Sequence, residues 1–203
     1  MLLFVIIGYS ICLYISPFKG GYFMKKTAVL IYPNFSEYEL TTALSILMQA
    51  AKPISIISID RNPVKGEAGL TLIADITIDQ VNYEEYDSLL LTGCMDISEI
   101  ITNDTYTDFI QKISNQVDFK IASISSSPTL LAKAKLLNNK NYTVGLTEEA
   151  RKSIGLFEDA TYSNKLVVKD GNLITARGAG FIEFGILFGE LLNLKFNKGW
   201  YQK

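Results

Sequence analysis

The chain has 203 residues, 48% of them hydrophobic and 20% charged, enough for one well-filled core and too few for two ordinary domains. Its 19 Lys and Arg against 21 Asp and Glu leave a net charge of -2, spread along the chain, with no basic footprint for nucleic acid. Histidine is absent and cysteine occurs twice, at Cys12 and Cys94, which excludes histidine-assisted serine or cysteine catalysis, leaves zinc nearly without ligands, implies no metal or cofactor, and suits a reducing cytoplasm.

Residues 1–18 carry no charge, and a run of that length is the lower limit for a membrane-spanning helix. A signal peptide fits poorly, since no basic residues precede the apolar stretch and no small-x-small site follows it. A membrane anchor would leave the following domain on the cytoplasmic side, held by Lys25 and Lys26. The preferred reading starts translation at Met24-Lys25-Lys26, because Lys19-Gly20-Gly21 can be encoded by a purine-rich ribosome-binding sequence just upstream. The expectation is an apolar leader over 1–23 and one cytoplasmic domain over 24–203, touching a membrane only if residues 1–18 are retained.

Residues 27–32 form a continuous apolar run, as in a strand buried on both faces of a parallel sheet. Leu40, Ala43, Leu44, Leu47, Met48 and Ala51 follow at helical spacing, and residues 54–59 read as the next strand. Strand, helix, strand is a right-handed βαβ unit. Residues 69–78 partly alternate, predicting a half-exposed extended segment or a hairpin off the main sheet. Residues 88–92 are another buried strand ending at Gly93-Cys94, and a helix is predicted over 105–115.

Residues 121–124 form the central strand and run without a loop into an apolar helix, with Pro128 in its first turn. A short strand over 142–144, a short helix over 147–154 capped by Thr147, a hairpin over 166–175 turning at Asp170-Gly171, and an apolar last helix over 181–194 complete the chain. That helix is expected against the sheet or at a subunit contact. The alternation predicts an open, doubly wound α/β domain whose ligands bind beyond the carboxyl ends of the strands.

The junction Ser125-Ser126-Ser127-Pro128 has the small residues that a nucleophile elbow needs, with Ser125 at the apex. Gly93, Ser126 and Pro128 are candidate binding residues beside it. A serine hydroxyl needs a neighbouring base, and the usual one, histidine, does not exist here. Ser36-x-x-Glu39 reads by spacing as a capping box, in which Glu39 turns back to the helix start. Cys94 reads first as a small buried hydrophobe. Arg177-Gly178-Ala179-Gly180 lacks phosphate-loop spacing and reads as a tight strand-to-helix connection, with Arg177 in a structural ion pair.

Ala122-Ser123-Ile124-Ser125-Ser126-Ser127-Pro128 resembles the Ala-x-Ile-Cys-x-Gly-Pro segment of the DJ-1/PfpI (ThiJ) family, with serine in place of the reactive cysteine. Asn34 to Leu40 resembles that family's Gly-Phe-x-x-x-Glu segment, whose glutamate hydrogen-bonds the cysteine, and Glu39 matches it. Leu91-Thr92-Gly93-Cys94 resembles the Leu-Pro-Gly-Gly turn, and Asp170 to Gly180 with Glu183-Phe184 resembles Asp-Gly-x-x-x-Thr-x-Arg-Gly-x-Gly…Glu-Phe. The likeness spans most of residues 26–194.

The resemblance implies a flavodoxin-like three-layer α/β sandwich with a mostly parallel central sheet, a homodimer, and a glutamate beside the elbow rather than in a cap. It also implies glyoxalase, deglycase, amidase or peptidase activity, all dependent on a cysteine and usually a histidine that this chain lacks at the site. The expectation is a degenerate member that binds a small carbonyl or carboxylate ligand or acts in stress response or regulation. The alternative is an enzyme using Ser125 with Glu39, or Cys94 in place of the elbow thiol; a third reading is a membrane-tethered accessory protein. Whether the chain is an enzyme is left open.

Overall fold

The computed structural model describes residues 24–201, so the apolar leader at 1–23 lies outside the described residues. β1 (Lys26–Leu30), β2 (Ile54–Ser58), β3 (Val64–Lys65), β4 (Thr71–Leu72), β5 (Ile76–Thr77), β6 (Tyr86–Leu91), β7 (Lys120–Ile124), β8 (Asn141–Tyr142), β9 (Thr161–Tyr162), β10 (Val167–Asp170) and β11 (Leu173–Ala176) alternate with helices. These are α1 (Glu37–Gln49), α2 (Ile97–Ile101), α3 (Asp104–Ser114), α4 (Pro128–Lys133), α5 (Glu148–Ile154) and α6 (Phe181–Leu191).

Seven strands form one sheet in the order β10-β11-β7-β6-β1-β2-β5, parallel except for β10. α1 and α6 pack together, and α2, α3 and α4 form a second helical group, giving the expected three-layer α/β sandwich. The sheet centre is the core: Val29, Leu30, Leu89, Leu90, Ala122 and Ile124 have no exposed surface, as expected of strands covered on both faces. Among the described residues no helix is long and apolar enough to cross a membrane.

The expected elements recur with three corrections. The alternating run at 69–78 does not pair with itself: Thr71–Leu72 pairs antiparallel with Val64–Lys65, and Ile76–Thr77 joins the sheet edge beside β2. Asp75 makes the switch, its N–H donating to Ile56 O at 2.9 Å while its Oδ2 accepts the Ile56 N–H at 2.7 Å. The stripe of α1 is set by Leu40, Ala43, Ile46 and Leu47 instead of reaching Met48 and Ala51, which are exposed. Finally, the helix after β11 stops at Leu191 and buries Phe184, Ile186 and Phe188, with Gly185 backed against α1, where a Cβ would lie 2.8 Å from Ala43 N.

The sheet directions bring four strand ends together. β1, β6, β7 and β11 are mutually parallel neighbours, so the segments leaving their carboxyl ends converge on one edge of the sandwich. The chain turns right from β1 to β2 and left from β6 to β7, making the gap between β1 and β6 the topological switch point.

Candidate functional site at the strand ends

Ser125 follows the last residue of β7 and holds φ at 64°, a left-handed conformation that costs a non-glycine residue free energy and persists only when its surroundings enforce it. They do so from both sides. Its N–H donates to Ala176 O at 2.8 Å and its carbonyl accepts from Gly145 N at 2.6 Å. Below it, the Ser127 hydroxyl donates to Ile124 O and lies 2.7 Å from Ser123 Oγ, and Pro128 begins α4, where its missing N–H leaves no bond unmade.

Glu39 reaches this apex from the first turn of α1. It is 2% exposed, and the capping-box geometry is not formed: Ser36 makes no side-chain cap bond and its hydroxyl donates to Glu67 Oε1 at 2.7 Å instead. Glu39 Oε2 accepts the Gly93 N–H at 2.8 Å, and Oε1 accepts the Tyr38 hydroxyl at 3.2 Å. Burial raises the carboxyl above the ordinary glutamate value of 4.5, against the opposing pull of the Ser125 hydroxyl, the Gly93 N–H and the Tyr38 hydroxyl.

Glycines make this convergence possible. A Cβ on Gly93 would lie 2.5 Å from Ser125 Cβ and 2.6 Å from Glu39 Oε2. On Gly178 it would lie 2.7 Å from Glu39 Oε1, 2.8 Å from the Tyr38 hydroxyl and 3.6 Å from Ser125 Oγ. Ser125, Glu39, Tyr38, Gly93 and Gly178 therefore share one small volume.

Cys94 sits one residue further along the turn, its Sγ 3.9 Å from Ser126 Oγ. Its N–H donates to Ser126 Oγ at 3.1 Å, and the Ser126 hydroxyl returns to Cys94 O at 3.3 Å. The thiol is 8% exposed, and burial pushes it up to about 11, so it is protonated near neutral pH. Ser126 is thus engaged with the Gly93-Cys94 turn and Pro128 with the start of α4. Neither lines the open cleft.

That cleft, of about 320 Å³, is bounded by Ser125, Gly145, Thr147, Leu166, Arg177 and Gly178 among others. Sequence reasoning missed Gly145 and Thr147, which follow β8, a strand outside the main sheet. It also read Arg177 as an ion-pair partner. Among the described residues Arg177 has no carboxylate partner and only a 3.4 Å contact from Nη1 to Asn164 Oδ1, which makes it the charged side chain of the cleft wall. Its place at the end of β11 was the available signal. Among the described residues no cluster of His, Cys, Asp and Glu could hold a metal.

Comparison with known proteins finds the same fold in solved structures. The model of the DJ-1/PfpI family matches residues 25–189. Protein dj-1beta of Drosophila melanogaster is 28% identical over 83% of this chain and 89% of its own length. Deglycase PfpI of Pyrococcus furiosus is 24% identical over 72% of this chain and 86% of its own length. The crystal structure of a ThiJ/PfpI domain protein from Brachyspira murdochii superposes with a TM-score of 0.73 at 22% identity, covering 83% of this chain and 98% of that one.

Proposed function

The chain belongs to the DJ-1/PfpI family, and from that premise we propose that it is a member with a degenerate elbow, binding a small carbonyl-bearing carboxylate without fast covalent turnover. The observation that carries this reading is Ser125, which holds the apex geometry while presenting a hydroxyl to a buried Glu39 in a chain with no histidine. A hydroxyl is a weak nucleophile without a base, and a carboxylate is a poor base for it even when burial raises its pKa. Arg177 supplies the cation for a carboxylate, while the Ser125 hydroxyl is the donor for a carbonyl oxygen beside it. Self-association is part of the same reading, since Tyr38, Leu166 and Ile182 expose apolar surface near the cleft.

A second reading rests on the strain at Ser125. A left-handed serine held by two backbone bonds is the kind of outlier that accompanies catalysis, and Glu39 is placed to take its proton slowly. One experiment separates the two: consumption of methylglyoxal and of small amides and esters by the full chain and by Ser125→Ala, alongside calorimetric titration with pyruvate. Saturable pyruvate binding that Arg177→Gln weakens, with no turnover above background, supports the binding reading. Turnover that Ser125→Ala abolishes replaces it with the enzyme.

A further inference from the structure

A second cleft, of about 310 Å³, opens where the chain leaves β1 and β2 and shares no lining residue with the cleft at Ser125. Asn34, Asp60, Asn62, Lys65 and Tyr106 line it, between the apolar flanks of Ile59 and Pro63. Tyr106 comes up from α3, and its ring is fixed edge-on against Tyr32, with centroids 5.7 Å apart and planes at 83°.

Tyr106 is only 2% exposed, yet among the described residues its hydroxyl makes no hydrogen bond. A buried tyrosine hydroxyl ordinarily finds a partner. The fully covered side-chain polar atoms without a partner are Thr107 Oγ1, Thr129 Oγ1, Thr143 Oγ1 and Arg151 Nη1. The Tyr106 hydroxyl is not one of them, so it keeps open surface, and the cavity it opens on is this cleft. Burial first and the Asp60 charge second push it up to about 12, so at neutral pH it is an uncharged donor and acceptor within the field of a carboxylate.

The rim selects what can meet it. Asp60 accepts the Asn62 N–H on Oδ1 at 2.9 Å and the Asn62 side-chain amide on Oδ2 at 3.0 Å, which fixes the carboxylate plane and leaves each oxygen room for a further donor. Among the described residues neither Asp60 nor Lys65 forms an ion pair. Asp60 therefore disfavours an anionic ligand and Lys65 a cationic one. Uncharged hydroxyl groups, which donate to a carboxylate and accept from an amide or a phenol, suit this mixture.

We propose that this cleft binds a neutral polyhydroxy compound, one hydroxyl meeting Tyr106 at the floor and its neighbours meeting Asp60 and the Asn34 and Asn62 amides at the rim. The site is independent of the chemistry at Ser125.

The test is calorimetric titration of the full chain with sorbitol, with hexane-1,6-diol, which lacks the inner hydroxyls, and with gluconate and glucamine, which add a negative and a positive charge. Sorbitol should bind saturably, about fivefold or more tighter than the diol and about threefold tighter than either charged analogue. Tyr106→Phe keeps the buried ring and removes only the hydroxyl: sorbitol should weaken about fivefold, while the urea midpoint stays level or rises because no protein partner is lost. Ser125→Ala should leave sorbitol binding intact. Absence of saturable sorbitol binding to the folded wild type, equal or tighter binding of the diol or of a charged analogue, a lowered urea midpoint in Tyr106→Phe, or loss of binding with Ser125→Ala would each overturn the proposal.

Discussion

The Gly93 N–H donates to Glu39 Oε2 at 2.8 Å, tying the turn after β6 to the first turn of α1 across 54 positions of chain. This bond orients the carboxylate toward Ser125 and leaves the apex no room for a side chain at position 93.

Gly93→Ala should therefore be a severe change at a small residue. Its Cβ would meet Ser125 Cβ and Glu39 Oε2 well inside van der Waals contact, and overpacking of this kind costs about 1–3 kcal/mol. Urea unfolding should show that loss, and pyruvate titration should show loss of binding beyond what the stability change explains. Wild-type stability in the variant would mean that the turn is freer than its contacts indicate.

Glu39 makes a prediction about pH. Its folded pKa is raised above the unfolded value of 4.5, so the native state holds the proton more tightly than the unfolded chain. Stability is then lost as pH rises from 4.5 through the folded value, the reverse of a salt-bridged carboxylate. Denaturation midpoints of the wild type should fall relative to those of Glu39→Gln across that window. Parallel curves would place an ordinary carboxyl at this position.

Ser125→Cys should create turnover of methylglyoxal where the wild type has little, because a thiolate needs no general base to attack a carbonyl. Adding Glu39→Gln to this variant should lower the new activity. An inert Ser125→Cys protein, still folded by circular dichroism, would mean that more than the reactive atom is missing.

Cys94 should alkylate slowly. With the thiol at about 11, the thiolate is about one part in ten thousand near neutral pH, and the thiolate is the reacting form. Iodoacetamide labelling of the native protein, followed by peptide mass spectrometry, should show modification at Cys94 only under denaturing conditions. Fast native labelling at that site would restore Cys94 as a candidate nucleophile.

At the far end of the sheet, Lys52 Nζ lies 2.6 Å from Asp87 Oδ2 with its side chain only 2% exposed. Asp87→Ala would leave that ammonium only the Lys25 carbonyl, and a buried donor left short of a partner costs about 1–3 kcal/mol. The measurement is the urea midpoint, expected to fall sharply; an unchanged midpoint would mean that Lys52 finds water.

By itself the sequence determined the order and burial of the main elements, because continuous apolar runs such as that of β1 and β6 can be satisfied only inside a covered parallel sheet. It also located Ser125, since the small residues Ser126 and Ser127 and then Pro128 mark the turn from strand to helix locally. By spacing alone Glu39 reads as a cap, and only the family resemblance put it beside the elbow. The tertiary structure supplies the physical reason, because the competing partner, the Gly93 N–H, is distant in sequence and comes within reach through the parallel pairing of β1 with β6. Arg177 was misread for the same reason. An ion pair or an open cleft around a charged side chain depends on which distant segments fold beside it, and the loop of Gly145 and Thr147 that completes this cleft carries no local pattern announcing where it will lie.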